Sequence, residues 1–121
     1  MERYYQPEIE TASREQLLDW QNERLASQVR HVWDNVPYYR KKMEEKGLTP
    51  DDVQSVEDLH KLPFLTKDDL RDAYPYGLLG APLKDCIRIQ STSGTTGRRV
   101  VAFYTQHDVD LWEDCCARAI T

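Results

Sequence analysis

Cys86-Ile87-Arg88-Ile89-Gln90-Ser91-Thr92-Ser93-Gly94-Thr95-Thr96-Gly97-Arg98-Arg99-Val100-Val101-Ala102-Phe103-Tyr104 is the stretch on which the reading of this sequence turns. Its first five residues alternate apolar and polar side chains, the two-residue period of a strand. Val100 to Tyr104 is a second and more apolar run, so it reads as the more buried strand. The segment between them, Ser91 to Arg99, is dense in Ser, Thr and Gly, and the whole predicts a hairpin-like strand–loop–strand. Gly94 and Gly97 permit positive φ and close approach of a ligand. The hydroxyls of Ser93, Thr95 and Thr96 sit beside those glycines and can donate to phosphate oxygens, and consecutive backbone N–H groups in such a loop can form an anion nest. Arg98 and Arg99 place positive charge at the exit, where a guanidinium matches a phosphate with two parallel donors. The spacing is not that of a Walker-type loop, which needs four residues between its glycines, then Lys-Ser/Thr and a helix. Here the glycines are three apart and a strand follows. On composition alone, a phosphate-gripping loop and an ordinary Gly/Thr-rich surface loop both remain open.

Working outward, Thr105-Gln106-His107-Asp108 reads as a helix start, with Val109, Leu111, Trp112, Cys115, Cys116 and Ala119 forming an apolar face behind it. The sequence stops at Ile120-Thr121 within that helix, which predicts a chain cut inside a larger fold. Upstream, Ser13-Arg14-Glu15-Gln16 is a capping box. Leu18, Leu25, Val29, Val32 and Val36 follow as the stripe of a long amphipathic helix, widened by Trp20 and Trp33. Pro37 ends that helix or opens the next at its first position, and Tyr38 to Lys46 forms a second helix with Gly47 at its C-terminal cap. Thr49-Pro50-Asp51-Asp52, Ser55-Val56-Glu57-Asp58 and Thr66-Lys67-Asp68-Asp69 each pair a hydroxyl with an Asp three residues on. They predict helix starts with acidic first turns. Pro63, Pro75 and Gly77 keep those helices short. The expected organisation is a helical segment over 13–76, a loop hairpin over 86–104 and a helix over 106–121.

At 121 residues, 40% hydrophobic and 31% charged, the chain is long and apolar enough to fold as a domain. A net charge of −5 argues against a nucleic-acid partner. The Arg40-Lys41-Lys42 run is answered by Glu44-Glu45 and reads as a solvated helix face. No run reaches the apolar length needed to cross a bilayer, and the amino terminus lacks a signal-peptide core, so a cytoplasmic protein without a membrane partner is expected. Three cysteines, two of them adjacent, form neither a disulfide framework nor a zinc pattern. Cys115 and Cys116 read as buried, inert thiols. His31, His60 and His107 lack metal-ligand spacing, and Asp68-Asp69 fits helix capping better than a catalytic carboxylate pair.

Thr92-Ser93-Gly94-Thr95-Thr96-Gly97 closely resembles the phosphate-binding signature of the adenylate-forming superfamily. Asn35-Val36-Pro37-Tyr38-Tyr39-Arg40, Leu62-Pro63-Phe64-Leu65-Thr66-Lys67-Asp68-Asp69-Leu70-Arg71 and Tyr74-Pro75-Tyr76-Gly77-Leu78 are similar to the amino-terminal region of phenylacetate–CoA ligases. Tyr104-Thr105, Asp108 and Trp112 fit the same family, and the resemblance runs from about Glu10 to Thr121. It implies an α/β fold: a mostly helical amino-terminal portion, then the hairpin and a helix, all within the large domain of an adenylate-forming enzyme. It implies an ATP-dependent ligase that activates an aryl acid as an acyl-adenylate and passes it to coenzyme A, with Mg²⁺ on the phosphates. Ser93, Gly94, Thr95, Thr96, Gly97 and Arg98 would contact phosphate, with Thr92 as a further contact, and Tyr104 would pack. The family's adenine and acyl pockets, magnesium-binding glutamate, hinge and catalytic lysine lie downstream, so this chain carries no assigned catalytic or metal-binding residue and is expected to be inactive alone. A homodimer is compatible with the resemblance. Where this branch has Lys-Pro after the second glycine, this sequence has Arg98-Arg99, which keeps the charge and loses the fixed φ of proline. Two other readings stand beside this one: a non-catalytic helical interaction module using the apolar stripe of Ser13–Val36, and a ligase for a different aromatic acid.

Overall fold

The computed structural model describes residues 3–95 and 97–121. Helix α1 covers Pro7–Glu10 and α2 runs Arg14–Asn35. Ser13 caps α2: its Oγ accepts from Gln16 N at 3.1 Å, while Gln16 Oε1 accepts from Ser13 N at 3.0 Å. Val36 then closes α2 and opens α3, Pro37–Glu45, with Pro37 at the first helical position where no N–H is needed. The end of α3 is a Schellman motif: Leu48 N donates to Met43 O and Gly47 N to Glu44 O, with Gly47 at φ +71°. Leu48 thereby folds back onto the cluster around Met43.

That cluster is the packed centre. Val29 from α2, Met43 from α3 and Val53 are buried, with Leu25, Trp33, Tyr39, Leu48 and Leu62 against them. Thr49 and Ser55 open short 3-10 turns, Pro50–Asp52 and Val56–Lys61, rather than α-helices. The reason is spacing: Val53 must reach the core immediately after the first turn, and only Gln54 separates it from the next cap. Thr66 does open an α-helix, α4, Lys67–Asp72. Asp69 is its capping carboxylate, accepting from Thr66 N at 2.7 Å, and it also receives Lys42 Nζ at 2.7 Å and Tyr38 Oη at 2.8 Å from α3. A local cap has become the tie between two helices.

Those donors, Lys42 first, then the Thr66 N–H and Tyr38, hold the Asp69 carboxyl well below the usual carboxylate range. A folded-state value below the unfolded one gives stability that is present above the ordinary value of 3.8 and is lost as pH falls beneath it. Asp52 and Asp58 are lowered too, by the Thr49 N–H and by Lys61 respectively, so the comparison must isolate Asp69. Thermal melts of the chain and of Asp69→Asn between about pH 3 and 6 should start apart and converge toward acid. Parallel curves would show that the tie contributes nothing.

After α4 the chain turns sharply. Gly77 N donates to Ala73 O at 2.7 Å, and a Cβ on Gly77 would lie 2.7 Å from that same oxygen, so the turn has room only for glycine. A 3-10 turn, Leu83–Asp85, leads to β1, Cys86–Ser91, which pairs antiparallel with β2, Val101–Thr105; α5, Gln106–Ile120, follows under the Thr105–Asp108 capping box. The register pairs Arg88 with Tyr104, Ile89 with Phe103 and Ser91 with Val101, with an irregularity between Cys86 and Arg88. As the pattern predicts, β2 is partly buried throughout while β1 is exposed beyond Cys86. One face of the hairpin packs Tyr104 on Trp112 of α5 and the other packs Phe103 on Tyr76. The amino terminus returns to α5 through Tyr5 Oη to Asp114 and Arg118 to Gln6.

The expectation for α5 needs correction. Cys115 and Cys116 are exposed, not buried, and Leu111 and Trp112 remain nearly half exposed; only Val109 of that face is buried. An apolar helical face is legible in sequence, but burial requires something packed against it, and here β2 and the α1 segment cover only part. Ile87, Ile89 and Phe64 are likewise exposed. The chain is thus helix-dominant with a two-stranded antiparallel sheet, an α/β unit whose hairpin projects from a helical base.

Candidate functional site

The loop sits at the tip of that hairpin. Beyond the last β1–β2 pair the strands are held by one more exchange: Thr92 N donates to Val100 O at 3.0 Å, and Val100 N donates to the Thr92 hydroxyl at 3.1 Å. A side chain here replaces a backbone carbonyl, and the strands splay after it. Gly94 and Gly97 both have positive φ, +74° and +135°, and Gly97 N donates back to Gly94 O at 3.4 Å, rounding the tip. Ser93 and Thr95 are exposed beside that turn. Thr96 lies outside the described residues.

The structure therefore brings Ser93, Gly94, Thr95, Gly97 and Arg98 together on one tip, with Thr92 at its neck. Thr92 spends its acceptor on the neck, so its place differs from that of the hydroxyls beyond it. One residue beside the loop was not singled out from the sequence. Asp72, at the end of α4, reaches Arg98, with Oδ1 4.0 Å from Nη1. Arg99 lies back over Gly94: a Cβ on that glycine would be 2.8 Å from Arg99 Cγ and 3.4 Å from Arg99 Nε. The Thr92 role could have been found by counting strand pairs inward from the alternation. The Asp72 contact has no local signal, since it joins residues 26 apart in sequence.

A cleft of about 590 Å³ opens along β2, walled by Val32 of α2, Val36, Ala73, Leu78 to Ala81, and Val101, Phe103 and His107. Among the described residues of the loop, 92–95, 97 and 98, none lines it. The loop is set apart from this cavity by its chemistry: exposed hydroxyls, glycine backbone and two guanidiniums. Among the described residues, no group of three or more His, Cys, Asp or Glu is gathered to hold a metal ion, and no helix is long and apolar enough to cross a membrane.

No protein-family model matches the chain. Curated relatives do. The phenylacetate-coenzyme A ligase of Pseudomonas putida is 46% identical over 112 residues, which is 93% of this chain and 26% of that protein. The ligases of the same name from Escherichia coli K12 and Thermus thermophilus are 44% and 42% identical. Among solved structures, a 2-hydroxyisobutyryl-CoA ligase in complex with 2-HIB-AMP and CoA superposes with a TM-score of 0.86 at 30% identity, over 97% of this chain and 26% of that one. Over more than nine-tenths of its length the chain is similar to phenylacetate–coenzyme A ligases, and it spans about a quarter of the length of the relatives it matches.

Proposed function

We propose that this chain supplies the ATP phosphate grip of an AMP-forming ligase that joins phenylacetate, or a related aryl acid, to coenzyme A. The observation that carries the reading is the glycine-turned, hydroxyl-bearing tip, closed at its neck by Thr92 and Val100, in a chain similar to such ligases. In the first half-reaction the acid's carboxylate oxygen attacks the α-phosphorus of ATP, and the bond to pyrophosphate breaks. In the second, the CoA thiol displaces AMP from the acyl carbon. Negative charge grows on the departing pyrophosphate, and donors already in place there lower that barrier. Ser93, Thr95 and Thr96 would donate hydroxyls, Gly94 and Gly97 would let the backbone approach, and Arg98 would supply charge; Mg²⁺ would neutralise further phosphate oxygens. The exposed apolar residues Ile87, Ile89, Leu111 and Trp112 fit surfaces covered by the other three quarters of such a ligase. The second reading, a docking module, rests in sequence on the Ser13–Val36 stripe; Val29 and Val36 of that stripe are buried and Leu25 packs on the core, so such a module would have to dock through these exposed residues instead.

One experiment separates the two. The 121-residue chain is titrated with MgATP and with inorganic tripolyphosphate, then incubated with ATP, phenylacetate and CoA. Saturable phosphate binding without thioester is expected. A folded chain that responds to neither probe would favour the docking module, and robust thioester formation would overturn the assignment of catalysis to residues outside the chain.

A further inference from the structure

We propose that Arg99, rather than Arg98, is the principal phosphate-facing cation of the loop; this rests on the phosphate-grip reading above. Arg98 follows Gly97 at the outer side of the tip and extends toward α4, where Asp72 answers its charge at 4.0 Å. Both partners are largely exposed, so the pair is weak in itself. Its consequence is directional: Arg98 faces a carboxylate, and any anion approaching it meets that carboxylate as well. Arg99 is placed differently. It directly precedes Val100, whose N–H is held by the Thr92 hydroxyl, so its backbone is anchored at the neck. Its side-chain stem crosses the face of Gly94, the residue whose missing side chain and positive φ open the loop to a ligand. Among the described residues, Arg99 takes part in no ion pair. A guanidinium stationed over the open glycine, free of a competing carboxylate, can turn its two parallel donors onto a polyphosphate with little reorganisation. Proline at this position could not do so, which makes the second arginine a gain of a contact and not merely the loss of a rigid exit.

The test uses the full 121-residue chain, with inorganic tripolyphosphate and MgATP as probes in calorimetric titrations at low salt. Arg99→Ala should weaken both by about five- to tenfold, the scale of one charge-assisted contact at an exposed site. Arg98→Ala should weaken both by a smaller factor, about two- to threefold, since its charge is shared with Asp72. Asp72→Asn should tighten binding in the unaltered chain and do nothing in Arg98→Ala. Arg99→Lys, which keeps charge but not the fork, should fall between. Melting temperatures of the exposed-site variants should match the parent's, which separates lost contact from lost fold. A loss on Arg98→Ala equal to or larger than that on Arg99→Ala overturns the inference and leaves the phosphate grip standing. If the unaltered chain binds neither probe, the grip itself falls and this assignment with it.

Discussion

Met43→Ala is expected to lower the stability of the chain by about 2–5 kcal/mol, the range for truncating a fully buried Met, Leu or Ile. Met43 is 0% exposed and lies at the centre of the packed core. It shares the buried cluster with Val29 of α2 and Val53, against which Leu25, Trp33, Tyr39, Leu48 and Leu62 pack. Few other side chains can take up the loss, because among the described residues only Val29, Val36, Pro50, Val53, Ala73 and Val109 are buried apolar groups besides Met43. Collapse around the vacancy is also limited: α2 and α3 are joined directly at Val36, and Lys42 and Tyr38 are held to Asp69, so the helices cannot close up independently. Against a typical domain stability of about 5–15 kcal/mol, the melting temperature should fall by roughly 10 °C or more. Met43→Leu, which nearly conserves volume, should cost less than about 1.5 kcal/mol. Thermal and urea unfolding followed by circular dichroism measures both, and similar small losses in the two variants would show that the packed centre lies elsewhere.

Gly94→Val should leave that unfolding transition nearly unchanged and strike phosphate binding. Gly94 has φ +74°, a region costing a β-branched L-residue at least about 1–2 kcal/mol, which corresponds to roughly a 5- to 30-fold shift away from the open loop. A Cβ there would also press on Arg99 Cγ at 2.8 Å and push that side chain off the loop. The substitution therefore removes the close-approach surface and displaces a cation at once. Gly97→Ala is the control: a Cβ at Gly97 meets nothing within 4 Å, though its φ of +135° still carries backbone strain, so the smaller loss is expected there. Titration with tripolyphosphate reads the difference. Equal, undiminished binding by Gly94→Val would exclude the loop as the site of contact.

Sequence and tertiary structure contributed at different ranges. Interactions that close within about five residues were legible in the chain: the Ser13–Gln16 and Thr105–Asp108 capping boxes, Pro37 opening α3 and Gly47 at its cap. Their partners are neighbours in sequence, and their geometry is dictated by backbone valence alone, so residue types at fixed offsets are enough. The loop was legible for the same reason, since glycines and hydroxyls three apart imply a turned, donor-rich tip wherever it lies. What needed the folded chain was every choice among remote partners. Asp69 reads as a cap in sequence and becomes the tie to Lys42 and Tyr38 only when α3 and α4 meet. Cys115 and Cys116 lie on an apolar face whose covering depends on what packs there, and they are exposed. The two adjacent arginines are interchangeable as letters; the turn at Gly97 and the neck at Thr92 send one toward Asp72 and lay the other over Gly94. Local covalent geometry thus determined that a glycine-turned, donor-rich tip exists here, while packing between distant segments decided which charge it presents.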